Sequence, residues 1–168
     1  MQAERHAVEP DPPGWTRRAI APAGVSIAHN PAWPALEGAN VSYQTFGRHN
    51  GAVSVQWGDE ATMAHYLAHT GLGSGGHRRV IDEDRRIDIR GLAARRVRLR
   101  VISTAHGHGI DPDGRVVGTA PSDNETIFVA VAFEIGESPV RVGYRLPASE
   151  RAEFEPLLER VLGGVRPL

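Results

Sequence analysis

Eight histidines and no cysteine set the range of side-chain chemistry open to this chain of 168 residues. His65 and His69 stand four apart in His-Tyr-Leu-Ala-His. On a helix that spacing projects both imidazoles from one side, as two ligands of one metal would stand. His106 and His108 in His-Gly-His-Gly are two apart, which on a strand end gives them a common face. Four imidazoles from two elements suit zinc or copper if those elements meet. The plainer reading is a polar helix face and a Gly-rich loop decorated with histidine. The Glu of His-Glu-x-x-His is missing, so a metalloprotease has no support.

Other patterns point to turns and surfaces. Asp111-Pro112-Asp113-Gly114 offers two carboxylates but lacks the later ligands of a calcium loop, and reads as a type I turn. The stretch from Gly71 to Arg79 is rich in glycine without Gly-x-x-x-x-Gly-Lys-Ser/Thr, and it follows a helix instead of opening one. It reads as a flexible connector. Gly73, Gly75 and Gly76 would then rim a docking surface between the sheet and the helix before them. Arg96, Arg98 and Arg100 form a ladder at period two, suited to an anionic partner, or else to neutralisation by Asp82, Glu83, Asp84 and Asp88. No Gly-x-Ser-x-Gly elbow is present, and without cysteine there is no disulfide, thiolate site or thiol nucleophile.

The elements that would carry these residues follow from periodicity. Gly24–His29, Val41–Phe46 and Val53–Trp57 alternate as strands, with a hairpin turn at His49-Asn50-Gly51. Asp59 is the expected N-cap of a helix whose inner face is Ala61, Ala64, Leu67 and Ala68, with Met63 beside it. Val80, Ile87 and Ile89 lie on extended segments, with Asp88 able to face the Arg row if the strands pair. Val97, Leu99 and Val101 oppose the Arg ladder. The segment 127–135 is apolar on both faces, which predicts a central strand covered on both sides. Val140, Val142, Tyr144 and Leu146 make the last strand. A closing helix starts at Ser149, with Phe154, Leu157, Leu158, Val161 and Leu162 as its apolar face, and Gly163-Gly164 ends it. Pro156 either kinks this helix or sits in the first turn of its regular part. The expected order is β-β-β-α-β-β-β-β-α with antiparallel pairing and helices on both sides of the sheet.

This order, with two short motifs, resembles the PsbP-like family of the Mog, PsbP and LpqN type. The opening strand reads Pro22-Ala23-Gly24-Val25-Ser26-Ile27-Ala28-His29-Asn30-Pro31-Ala32-Trp33, similar to the family's P-x-G-x-x-I-x-x-P-x-x-W. The closing strand and helix carry Tyr144, then Phe154-Glu155-Pro156-Leu157-Leu158, then Gly163-Gly164-Val165. The resemblance spans about residues 22–166. It implies an α+β fold, an α/β/α sandwich around a mostly antiparallel sheet, and non-enzymatic binding or assembly work in a bacterial protein. It implies no catalytic residue set.

Composition agrees with that class. There are 19 basic and 20 acidic residues, a formal charge of -1, so binding of nucleic acid by bulk charge is not expected. Every basic residue is Arg, which a GC-rich genome favours. No apolar run reaches the ~20 residues of a membrane span. Residues 1–22, rich in proline, read as a flexible arm before a single domain of residues 23–168, with Trp15 able to dock on the body. The chain as written is cytoplasmic, or exported or lipid-anchored if a leader has been removed. The expected function is a protein-binding or assembly-factor domain. The alternatives are a His-cluster metal protein and a small-ligand carrier with a pocket under Trp33 or Trp57.

Overall fold

The computed structural model describes residues 10–38, 40–44, 52–71, 77–103, 108–110, 112–118, 125–135 and 137–168, with backbone alone at residues 42, 44, 77, 108–110 and 116–118. The turn 49–51 lies outside the described residues.

A seven-stranded antiparallel sheet forms the centre. Its strands are β3 (Ala35–Glu37), β4 (Asn40–Gln44), β5 (Ala52–Trp57), β6 (His77–Ile89), β7 (Leu92–Ser103), β10 (Glu125–Ile135) and β11 (Ser138–Pro147). They run in the order β3-β4-β5-β11-β10-β7-β6. A small sheet places β2 (Val25–His29) between β1 (Thr16–Ile20) and β12 (Arg166–Pro167). β8 (His108–Ile110) and β9 (Val116–Gly118) pair as a hairpin. The helices are α1 (Met63–His69) and α2 (Arg151–Gly163). None among the described residues is long and apolar enough to cross a membrane.

The central strand β10 explains the architecture. Ile127, Val129, Val131 and Phe133 join the larger core with α2 and the small sheet. Phe128, Ala130 and Ala132 join a smaller core under α1. Its doubly apolar sequence is therefore a strand buried on both faces, as its pattern requires. The fold is α+β, and one outer layer holds a strand sheet as well as a helix.

Local expectations are corrected in four places. The ordered body begins before residue 23: β1 pairs along β2 from Thr16↔His29 to Ile20↔Val25, and Trp15 packs edge-on to Trp33 at 5.3 Å. Pro12 and Pro13 break helices but permit a turn leading into a strand. Thr62, not Asp59, caps α1 by accepting from the His65 N–H at 3.1 Å, while Asp59–Ala61 form a 3₁₀ turn. The inner face of α1 is Met63 and Tyr66 with Leu67, and Ala64 and Ala68 are exposed. Large side chains gain more from burial than alanine does, so they set the rotation of the helix. Finally, α2 runs through Pro156 without starting there, and Ser149 lies in the 3₁₀ turn Ala148–Glu150 ahead of it. Gly164 ends α2, its N–H reaching the Arg160 carbonyl at 3.0 Å.

Candidate functional site

The Arg ladder lies beneath α2. β7 alternates, so Val97 and Leu99 enter the α1 core while Arg96, Arg98 and Arg100 turn to the other face. There they meet acids from three elements. Arg96 makes a two-pronged pair with Glu159 and reaches Glu83 at 3.2 Å. Arg98 donates to Glu155, which also accepts from Arg151 at 2.9 Å. Arg100 holds Asp82 at 2.6 and 3.0 Å and Glu125 at 3.2 Å. Tyr144 in β11 donates to Glu159 at 2.8 Å.

These pairs are poorly hydrated where α2 covers them: the side chains of Arg96 and Arg98 are 13% and 14% exposed. Burial pushes the Glu155 carboxyl up, but its bond to Arg98 and the charges of Arg98 and Arg151 outweigh that and hold it below the usual range. Burial pushes the Tyr144 phenol up, and the neighbouring Glu159 pushes it further, so it stays protonated. The ladder thus binds anionic groups, and those groups belong to this chain. Asp88 is not among them. It pairs with Ala93 in register and accepts from the Gly91 N–H at 2.8 Å. Asp84 pairs with Arg95 on the opposite face.

A groove of about 570 Å³ opens beside this seam. Ile87 and Ile89 of β6, Val131 of β10 and Leu162 of α2 give it an apolar floor, and Arg85, Arg96 and Arg160 line its sides. Pro10, Asp11 and Pro12 make the opposite wall. That wall is tethered: Arg160 donates to the Pro10 carbonyl at 2.9 Å, and Arg17 grips Asp11 at 2.6 and 3.1 Å. The Arg17 bond holds the Asp11 carboxyl below its usual range. The described lining includes neither Trp33 nor Trp57, and Trp33 is buried in the main core.

His65 and His69 stack with ring centres 4.1 Å apart, and the His69 Nδ1 lies 2.8 Å from the His65 carbonyl. His106 lies outside the described residues, and His108 is described by its backbone in β8. Among the described residues no three potential metal ligands come together. Gly73, Gly75 and Gly76 also lie outside the described residues. Gly71 is described, in the left-handed region at φ +74°, where it closes α1 after Thr70.

No family model matches the sequence, and no curated protein matches it. Solved structures do. The solution structure of cyanobacterial PsbP (CyanoP) from Synechocystis sp. PCC 6803 superposes with a TM-score of 0.61 at 11% identity, over 92% of this chain and 93% of that one. The fold is PsbP-like. The crystal structure of PA94 from Pseudomonas aeruginosa, a protein of unknown function described as a candidate regulator, is similar at a TM-score of 0.51. Its identity is 13%, over 92% of this chain and 97% of that one.

Within the PsbP-like fold, sequence reading located the ladder but missed Glu125, Glu155 and Glu159 as its partners. A signal existed. Arg151, Glu155 and Glu159 repeat every four residues, one charged row along α2. Matching that row to arginines two apart on a strand requires knowing that α2 packs there. The groove has no such signal, because its wall at residues 10–12 and its floor on β6 are distant in sequence.

Proposed function

We propose that this chain is a non-catalytic binding domain that holds a segment of another protein in the groove between residues 10–12, β6 and the end of α2. The groove carries this reading. It is concave and apolar-floored, and so suits a polypeptide segment that presents an apolar side chain. The PsbP-like fold is compatible with it, since the CyanoP likeness concerns the scaffold. The ladder supports it from another side. Arg96 and Arg98 are engaged with Glu159 and Glu155, which fixes α2 as one wall of the groove.

The test is site-specific photo-crosslinking in the cell that makes the protein. A benzophenone side chain replaces Ile87 in the groove, or Leu36 at an exposed strand far from it. The expected result is one defined protein adduct from position 87, absent from position 36 and lost when Ile89→Arg fills the floor. Equal labelling from both positions, or an adduct that survives Ile89→Arg, would overturn the assignment.

A further inference from the structure

β6 is the outermost strand of the large sheet, and among the described residues it pairs with β7 alone. The opposite edge, β3, has three residues, whereas β6 has thirteen. An edge strand presents unpaired N–H and C=O groups, to which a further strand can bond. The turn to β7 decides which groups these are. Ile89 pairs with Leu92, so the turn consists of Arg90 and Gly91, and both have positive φ, +51° and +85°. Such a two-residue type I′ turn closes on a hydrogen-bonded pair. Bonded and non-bonded pairs then alternate along an antiparallel ladder. Ile89, Ile87 and Arg85 therefore bond to β7. Asp88, Arg86 and Asp84, opposite Ala93, Arg95 and Val97, do not, and their N–H and C=O groups point to the open edge.

A break in register between Ile81 and Glu83 limits this regular edge to residues 83–89. The same segment borders the groove, which Arg85, Ile87 and Ile89 line at alternate positions. On its other face stand Asp84, Arg86 and Asp88. Arg86 is exposed and lies directly across from Arg95, a pair of like charges. Arg95 is engaged by Asp84 at 2.7 and 2.8 Å. An acidic side chain on a strand added beside Arg86 would meet its charge without displacing that pair.

We propose that the segment held in the groove binds as an added antiparallel strand along residues 84–88, with an acidic residue opposite Arg86 and an apolar residue next to it over Ile87. This rests on the groove reading and adds the backbone by which the segment is held. Neighbouring side chains of a strand point to opposite faces, so the acid meets Arg86 while the apolar group enters the groove. Backbone bonds supply affinity in this mode, and the alternating side chains select the sequence.

The probe is the peptide acetyl-Ser-Thr-Val-Glu-Val-Thr-Ser-amide, titrated into the ¹⁵N-labelled protein and followed by NMR of the backbone amides. The expected result is a saturable shift of the Asp84, Arg86 and Asp88 amide signals, with slowed hydrogen exchange at all three. The peptide with Lys in place of Glu should bind about tenfold more weakly. Arg86→Pro removes the central outward N–H and leaves the bonds to β7 in place, so the chain should fold and binding be lost. The peptide N-methylated at its Glu should also fail to bind, with the protein unaltered. Shifts that do not saturate, equal binding of the Glu and Lys peptides, or binding that survives both Arg86→Pro and N-methylation would overturn the added strand. The groove is read separately, by the crosslink from position 87. An adduct that persists in Arg86→Pro would keep the groove and overturn the strand. A dimer that Arg86→Pro dissociates would give the edge to a second copy and would also overturn the proposal.

Discussion

The two faces of the central sheet are covered in different ways. On one, α2 buries Leu158, Val161 and Leu162 and lays Glu155 and Glu159 onto arginines of β7. On the other, the seven residues of α1 bury Met63 and Tyr66 against Val97, Leu99 and Ala130. Arginines attach both helices, but to different groups. Under α2 they meet carboxylates. Around α1 they meet backbone carbonyls: Arg141 bonds those of Glu60 and Thr62 at 2.8 and 3.2 Å, and Arg79 bonds those of Leu67 and Thr70 at the helix end. Arg79 also complements the negative end of the helix dipole. Seven residues are too few to be helical alone in water, so α1 depends on these attachments for its existence. α2 adds to its length a charged seam that fixes its register on the sheet.

The largest effect should come from the apolar half of the α2 interface. Leu158 is fully buried, so Leu158→Ala is expected to cost about 2–5 kcal/mol in urea unfolding. Leu157, next to it and 39% exposed, should change stability by less than about 0.5 kcal/mol when cut to Ala. Equal effects would mean that α2 is rotated from the position described.

The ionic half should follow. Arg98→Met leaves Glu155 covered with Arg151 and a long bond from the Tyr144 hydroxyl beside it, and should cost about 1–3 kcal/mol. Arg98→Met with Glu155→Leu should recover most of that, because the apolar pair leaves no uncompensated charge. The same seam predicts a pH dependence. Glu155 titrates lower when folded than when unfolded, so its contribution is present above about pH 4.5 and is lost as the pH falls through its folded value. The gap between the wild type and Glu155→Gln should therefore close below about pH 4.5. A gap that widened with acid would contradict the pairing.

The smallest effects compare one tyrosine from each face. Burial raises Tyr66, with Arg141 stacked 4.8 Å over its ring and opposing the shift. Burial and Glu159 together raise Tyr144. Tyr144→Phe removes the donor to Glu159 and should cost about 1 kcal/mol. Tyr66→Phe should cost less than about 0.5 kcal/mol, since among the described residues its hydroxyl has no hydrogen bond to lose. In alkaline titration followed by phenolate absorbance, each variant should lose one late step that coincides with unfolding. A step at the ordinary tyrosine range would mean that the side chain is solvated.

Much of the frame was legible in local pattern. The alternation of β7, the doubly apolar run of β10 and the apolar spacing of α2 each report the number of sides a segment buries, and burial acts on every residue in turn. The rotation of α1 was misread because the pattern counted Ala64 and Ala68 as equal to Tyr66. β1 was read as part of an arm because five residues beside four prolines carry little periodic signal, and pairing with β2 stabilises them as a strand.

The sequence by itself determined the α+β class, the antiparallel strands and the two helices, because a buried face repeats at the period of the backbone that carries it. Only the tertiary structure decided that Arg96 and Arg98 meet Glu159 and Glu155, and that residues 10–12 close a groove over β6. Those meetings join segments up to about 150 residues apart. Charge and shape act between such segments only after the chain has folded, and no local spacing records them.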